Sequence, residues 1–256
     1  MAADWDPNQY GRFSEARTRP ARELIARIPP IPSRMIIDLG CGDGPVTALL
    51  VDRWPTAEIT GIDSSSAMLA KARSLCPTVR FVEADIAAWK AEQPPGLIFS
   101  NATLQWLDGH NTLLPKLLSM LAPDGVMAVQ MPGNFDAPSH RLLAALATSP
   151  TWNAKTGHLV RHTPVREPVY YVDLLSPLAT RIEAWETTDM LMLDGENAVL
   201  EWMKGTALRP YLTALSQADA ALFQEQLAER LSAAYPRRSS GKTLFPFRRI
   251  YFVAIR

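Results

Sequence analysis

Residues 34–39, Arg-Met-Ile-Ile-Asp-Leu, run directly into Gly40-Cys41-Gly42-Asp43-Gly44, and no other stretch of this chain restricts its fold so strongly. A short apolar strand that ends in closely spaced glycines and passes into a helix over 46–54 sets bare backbone at a strand-to-helix turn. A Cβ at such a turn would hold a ligand away from the main chain. The alternation continues beyond it. Strands are expected at 58–62, 79–82, 96–100 and 125–131, with helices at 65–75 and 113–121. Serines at 64–66 supply an N-cap for the first of these helices. Strands that are apolar throughout and separated by helices imply a parallel sheet covered on both faces, which is an α/β doubly wound fold. Such sheets bind ligands at the carboxyl ends of their strands.

The residues at those strand ends are chemically specific. The loop reads G-x-G-x-G, and Pro45 stands where a dinucleotide loop has its third glycine. Asp38 closes the strand itself. A carboxylate there would repel a pyrophosphate, but it could accept the ammonium of a methionine moiety, directly or through water. Asp63 follows about twenty residues later at the tip of the second strand, positioned to accept from both ribose hydroxyls; a helix N-cap is the plainer role for it. Ser64 and Met68 lie beside it, and Cys41 lies inside the loop. Asp85 follows the third strand, where it could accept from an adenine amine with Ile86 against the base, although a lone Asp is more often a helix cap. Ser100-Asn101-Ala102 forms the tip of the fourth strand and leads to Leu104-Gln105-Trp106. That tip faces the reacting carbon, so Asn101 is both a cofactor-binding residue, orienting the cofactor amine, and a positioning residue, with Trp106 and His110 lining an acceptor pocket.

Taken together, Asp38-x-Gly-x-Gly-x-Gly, Asp63, Asp85 and Asn101 resemble the class I methyltransferases over roughly residues 30–132. The resemblance implies a Rossmann-like sheet with helical cap insertions. It also implies S-adenosyl-L-methionine as cofactor, S-adenosyl-L-homocysteine as product, and no metal. A second layer is narrower. Trp5-Asp6-Pro7-x-x-Tyr10-x-x-Phe13, Arg17-x-Arg19-Pro20, Asn101-Ala-x-x-Gln-Trp106, Glu201-Trp202-x-Lys204-Gly205-Thr206-x-Leu208-Arg209-Pro210 and Leu244-Phe245-Pro246-Phe247-Arg248-Arg249 are similar to segments of the trans-aconitate 2-methyltransferases. They imply a small polycarboxylate as the acceptor. Its carboxylates are ionised at neutral pH, with pKa values around 4, so no acid–base catalytic residue is expected. A trianion calls for fork-shaped cationic donors. Arg19, Lys204, Arg209, Arg248 and Arg249 are the candidates, with Tyr10 beside them, and Arg17 could instead hold the cofactor's carboxylate. Trp5, Tyr10 and Phe13 would form a lid over the site or pack as core. Relatives acting on malonyl-thioesters share parts of these segments, so another carboxylic acid stays open as acceptor, as does a non-catalytic protein that binds the cofactor.

The remaining features bound the function. The 256 residues carry 26 Lys and Arg against 26 Asp and Glu, so no global field draws in nucleic acid or an anionic membrane. Asn101-Ala-Thr-Leu also lacks the Pro-Pro-aromatic run that receives a flipped base. Positive charge is local: from Arg230 to Arg256 there are seven Lys or Arg and no Asp or Glu. Cys41 and Cys76 are the two cysteines, and a disulfide at Cys41 would obstruct the loop, which favours a reducing compartment. The opening Met1-Ala-Ala-Asp-Trp-Asp-Pro7 has neither a basic nor an apolar leader segment, and no apolar run approaches the roughly 18 residues that span a bilayer. A cytoplasmic location is expected. His158 and His162 stand four apart, but Gly157 and Pro164 flank them and no carboxylate motif accompanies them, which disfavours a metal. A single domain is expected over 1–256, with an N-terminal lid (1–30), a cofactor-binding core (31–132), and cap helices plus closing strands (133–256).

Overall fold

The computed structural model describes residues 14–161 and 164–256, with side chains from Thr18 onward. In chain order these form α1 (Ser14–Ala26), β1 (Met35–Leu39), α2 (Pro45–Arg53), β2 (Glu58–Asp63), α3 (Ser66–Leu75), β3 (Arg80–Glu83), β4 (Leu97–Asn101) and α4 (His110–Met120). β5 (Val126–Pro132), α5 (Pro138–Ala147), α6 (Asn153–Thr156), α7 (Pro168–Leu175) and β6 (Arg181–Leu193) follow. The chain then forms α8 (Ala198–Lys204), α9 (Arg209–Ala214), α10 (Gln217–Ala234) and β7 (Thr243–Ile255). Two compact units emerge, one of residues 14–132, 165–186 and 250–256, the other of 133–161, Pro164 and 187–249. No described helix is long and apolar enough to cross a membrane.

The strands order as β3-β2-β1-β4-β5-β7-β6, and β1 to β5 pair in parallel. The Arg256 N–H donates to Gly125 O before β5, and the Gly133 N–H donates to Arg248 O after it. These partners run in opposite order, so β7 lies antiparallel to β5. Strand order reverses between β1 and β4, and the carboxyl ends on either side of that reversal form the crevice in which doubly wound sheets hold ligands.

In the first unit, Ile36, Leu97, Phe99, Val126 and Ala128 of the central strands pack with Leu24 and Ile25 of α1, Leu50 of α2, and Tyr251 and Val253 of β7. Each large aliphatic side chain buried this way contributes about 1.5–3 kcal/mol. Glu23 fixes α1 to the sheet by accepting from Trp185 Nε1 and Tyr251 Oη, both at 3.3 Å. In the second unit Trp152 meets Phe223 edge-on, with 5.2 Å between ring centres, and donates from Nε1 to Gln226 Oε1 at 2.8 Å.

Most expected elements occur within a residue or two of their bounds, and three differences have physical causes. α4 begins at His110, before its apolar stripe, because Gly109 at φ 71° starts the helix there. β7 begins at Thr243 although Pro246 reads as a strand breaker. Arg248 turns its N–H and C=O to the β5 side, so alternation puts the N–H that Pro246 lacks on that side too, but β5 has ended at Pro132 and no ladder bond is lost. α9 was not among the expected helices; Pro210 occupies its first turn, where its missing N–H costs nothing.

Candidate functional site

The glycine loop is held by the strand next to it. The Gly40 and Cys41 N–H groups donate to Ile62 O at 2.7 and 3.1 Å, and the Gly42 N–H donates to Asp63 Oδ2 at 3.0 Å. Gly40 has φ 76°, and a Cβ there would lie 2.1 Å from the Thr103 side chain. Thr103 occupies that space to bridge two strand tips, donating from Oγ1 to Gly40 O at 3.1 Å and Asn101 O at 3.2 Å. Met68 Cε lies 3.8 Å from where a Cβ on Gly42 would stand, so the Met68 side chain covers the loop.

The carboxylates differ sharply in environment. Asp38 is 1% exposed, and Thr47 Oγ1 donates to its Oδ2 at 2.7 Å. Burial pushes its carboxyl up to about 7; the Thr47 hydrogen bond opposes the rise and repulsion from Asp63 adds to it. A buried carboxylate so close to losing its charge is stabilised by any cation brought beside it. Asp63 is half-buried, and its oxygens accept from Gly42 N–H and, at 2.9 Å, from Ser65 N–H. The helix cap of α3 is Ser65, whose hydroxyl accepts from Met68 N–H at 3.4 Å. Each Asp63 oxygen therefore keeps a lone pair for a ribose hydroxyl. Ser64 is exposed beside it. Asp85 is exposed, its Oδ1 accepting from Ala87 N–H at 2.9 Å, with Ile86 buried next to it. Cys41 is buried, and burial together with repulsion from Asp38 pushes its thiol far above its ordinary range. It is not a nucleophile; both cysteines are free.

At the tip of β4, Asn101 pairs in register with Gln130 of β5. Asn101 Oδ1 and both amide ends of Gln130 are buried without a hydrogen-bond partner among the described residues. An unpaired buried polar atom costs about 1–3 kcal/mol, so three together mark a place reserved for something other than packing. The Gln130 carbonyl accepts from Ala102 N–H at 3.0 Å, holding Ala102 at φ 53°, a left-handed conformation alanine seldom adopts.

The structure thus brings Asp38, the glycine loop, Asp63, Met68 and Asn101 together in the first unit. The expected acceptor residues fare differently. His110 is 6% exposed, and its Nε2 lies 2.8 Å from Leu104 O, which can only accept, so Nε2 carries the proton. Its Nδ1 then accepts from Tyr171 Oη at 3.2 Å, and that oxygen accepts from Arg166 N–H at 3.1 Å. Burial pushes the Tyr171 hydroxyl up to about 12. Both ring nitrogens of His110 are thus engaged within the fold. Trp106 is 47% exposed in the short turn at Leu104–Trp106. Arg19 is exposed on α1. Tyr10, Trp5, Phe13, His162 and the side chain of Arg17 lie outside the described residues.

In the second unit Arg249 is 4% exposed; its Nε donates to Asp189 Oδ2 at 2.8 Å, and its guanidinium lies 4.6 Å from the Phe247 ring centre. The chain already supplies the carboxylate that Arg249 was expected to take from a substrate. Lys204 Nζ donates to Glu201 Oε1 at 2.6 Å. Arg209 and Arg248 are half-buried, and Asn134 brackets the Arg248 backbone through both ends of its amide. No group of three or more His, Cys, Asp or Glu able to hold a metal occurs among the described residues.

Three residues were missed by sequence reasoning: Thr47, Thr103 and Gln130. Gln130 left a signal, as a lone amide in Val126-Met-Ala-Val-Gln-Met-Pro132, a run otherwise fit for burial on both faces.

Comparison with known proteins agrees with this geometry. A family profile described as "Methyltransferase domain" matches residues 36–125. A trans-aconitate 2-methyltransferase of Azoarcus sp. is 46% identical over 98% of this chain and 99% of its own length. One from Streptomyces avermitilis is 48% identical over 98% of this chain and 96% of its own. Among solved structures, the YcgJ protein of Bacillus subtilis superposes with a TM-score of 0.59 at 14% identity, covering 93% of this chain and 98% of its own. A phosphoethanolamine N-methyltransferase 2 of Haemonchus contortus, solved with S-adenosylhomocysteine, superposes at 0.56 and 14% identity over 93% of this chain, which spans 52% of it. These structural likenesses establish the fold, and the full-length sequence identities establish the lineage. The chain belongs to the family of the trans-aconitate 2-methyltransferases.

Proposed function

We propose that this chain is an S-adenosyl-L-methionine-dependent carboxyl O-methyltransferase that esterifies trans-aconitate or a closely similar small polycarboxylate. The observation that carries the reading is identity above 45% with two trans-aconitate 2-methyltransferases over essentially the whole of both chains. The site's donor set supports the cofactor. Asp38, buried with its carboxyl pushed up to about 7, gains its charged form most readily beside an ammonium group; Asp63 keeps lone pairs for ribose hydroxyls; Asn101 carries an orphaned oxygen at the strand tip. When bound, the cofactor supplies a methyl group activated on a sulfonium.

The chain's own residues then have limited work. A carboxylate acceptor is ionised at neutral pH, so no side chain need remove a proton, in keeping with His110 and Cys41 being committed elsewhere. Loop and strand tips hold the reactants in line and keep water away, lowering the barrier mainly through proximity and desolvation. Arg19, exposed on α1 in the unit that holds the glycine loop, is the cation we assign to a carboxylate of the acceptor. A cytoplasmic location belongs to the same reading and is supported by two free, buried cysteines. A methyl-transfer assay over a panel of small acids tests it. Turnover of trans-aconitate well above mono- and dicarboxylates is expected; inert tricarboxylates beside an active malonyl-thioester would overturn the substrate assignment.

A further inference from the structure

The orphaned amide of Gln130 is the feature of the first unit that the cofactor reading does not absorb. Gln130 is fully buried, so it cannot meet a diffusing ligand directly. Its neighbour can. Asn101 is half-exposed at the tip of β4, and the two residues are paired in parallel register, which sets their side chains on the same face of the sheet in adjacent strands. Gln130 offers an unpaired donor, Nε2, on the face that carries the unpaired acceptor Oδ1 of Asn101. A hydrogen bond from Gln130 Nε2 to Asn101 Oδ1 would give each of these two atoms a partner.

We propose that Gln130 is a positioning residue that acts through Asn101. Gln130 Nε2 donates to Asn101 Oδ1, and the Asn101 amide is thereby fixed with Nδ2 outward, where it donates to a carboxylate oxygen of the acceptor. The inference rests on the carboxyl methyltransferase reading above. A neutral amide suits the task. It orients a weak oxygen nucleophile without neutralising its charge, whereas an arginine in the same place would hold that charge back. The backbone supports this role as well. The Gln130 carbonyl holds the Ala102 N–H at 3.0 Å and so fixes the left-handed turn immediately after Asn101. Side chain and main chain of one residue thus set the same strand tip. A purely structural Gln would be satisfied where it stands; this one is not.

A double-mutant cycle tests the assignment on the full-length enzyme, using Gln130→Met, Asn101→Ala and the pair. For each, kcat and KM with trans-aconitate, S-adenosylhomocysteine affinity by calorimetry, and Tm are measured. Gln130→Met should lower kcat about tenfold with cofactor-product affinity within about twofold of wild type, and its Tm should change little, because the one hydrogen bond lost is offset by burying an apolar side chain of similar size in place of an amide. In the Asn101→Ala background the same substitution should have no further effect on kcat. Gln130→Asn should recover little, since a side chain shorter by one carbon does not reach. Wild-type kcat in Gln130→Met, additive losses in the double variant, or a parallel loss of S-adenosylhomocysteine affinity would each overturn the inference. Wild-type turnover of trans-aconitate is the control: its absence together with turnover of another acid removes the substrate assignment alone, and the cycle is then read on that acid. An enzyme that methylates no acid removes both.

Discussion

Asp38 makes the pH dependence of cofactor binding calculable. Burial raises its carboxyl from 3.8 to about 7, a change that corresponds to on the order of 4 kcal/mol for ionising it inside the empty site. Between about pH 4 and pH 7 the folded protein therefore holds a proton that the unfolded chain has released. Stability from this group is full below pH 4, declines as pH rises towards 7, and is level above. Ligand binding runs the other way. If Asp38 receives the ammonium of the cofactor, that cation favours the ionised form, and binding below pH 7 must expel the proton. S-adenosylhomocysteine affinity should then weaken about tenfold for each pH unit below about 7, and about one proton should be released per binding event at pH 6. Calorimetry in two buffers of different ionisation enthalpy measures both quantities. Asp38→Asn should abolish the proton release and flatten the profile between pH 5.5 and 7.5. Its affinity at pH 7.5 should be weaker by about 1.5–3 kcal/mol, the usual worth of a hydrogen bond to a charged group. Flat wild-type affinity across that range, with no proton released, would refute the assignment of Asp38 to the ammonium.

Asp63→Ala removes the acceptor of the Gly42 and Ser65 N–H groups as well as the ribose partner; S-adenosylhomocysteine affinity should fall tenfold or more, and unchanged affinity would sink the ribose assignment. Arg249→Ala removes the guanidinium that Asp189 Oδ2 accepts from at 2.8 Å, which should lower Tm, since a buried ion pair broken on one side is destabilising. An unchanged Tm with a raised KM for trans-aconitate, but not for a monocarboxylate, would return Arg249 to the substrate. Tyr171→Phe removes the hydroxyl that joins His110 Nδ1 to the Arg166 N–H, so stability should drop by about 1–3 kcal/mol while the pH profile of kcat keeps its shape; a shifted profile would show that His110 takes part in the chemistry.

The cofactor half of the molecule was legible because its signals are local. A strand, a glycine turn and a helix must follow one another in sequence, and Asp38, Asp63 and Asn101 fall at strand tips by counting alone. What binds each carboxylate was not legible. Thr47 is nine residues from Asp38 and Thr103 is 63 from Gly40, and nothing in their neighbourhoods says that folding brings them together. Arg249 and His110 show the same limit, because their partners in the chain, Asp189 and Tyr171, stand 60 and 61 residues away. Gln130 lies between these cases: its type was visible as an anomaly in an apolar strand, but only the register with Asn101 gives the anomaly a purpose.

The central claim is that this chain forms a methyl ester on a tricarboxylate. The most direct test incubates the purified chain with methyl-labelled S-adenosyl-L-methionine and trans-aconitate, then treats the product with mild base. The account predicts label in the acid and its quantitative release as methanol, because a carboxyl ester hydrolyses and other methylated products do not. Label that survives base, or none transferred to trans-aconitate while a malonyl-thioester is methylated, would contradict it.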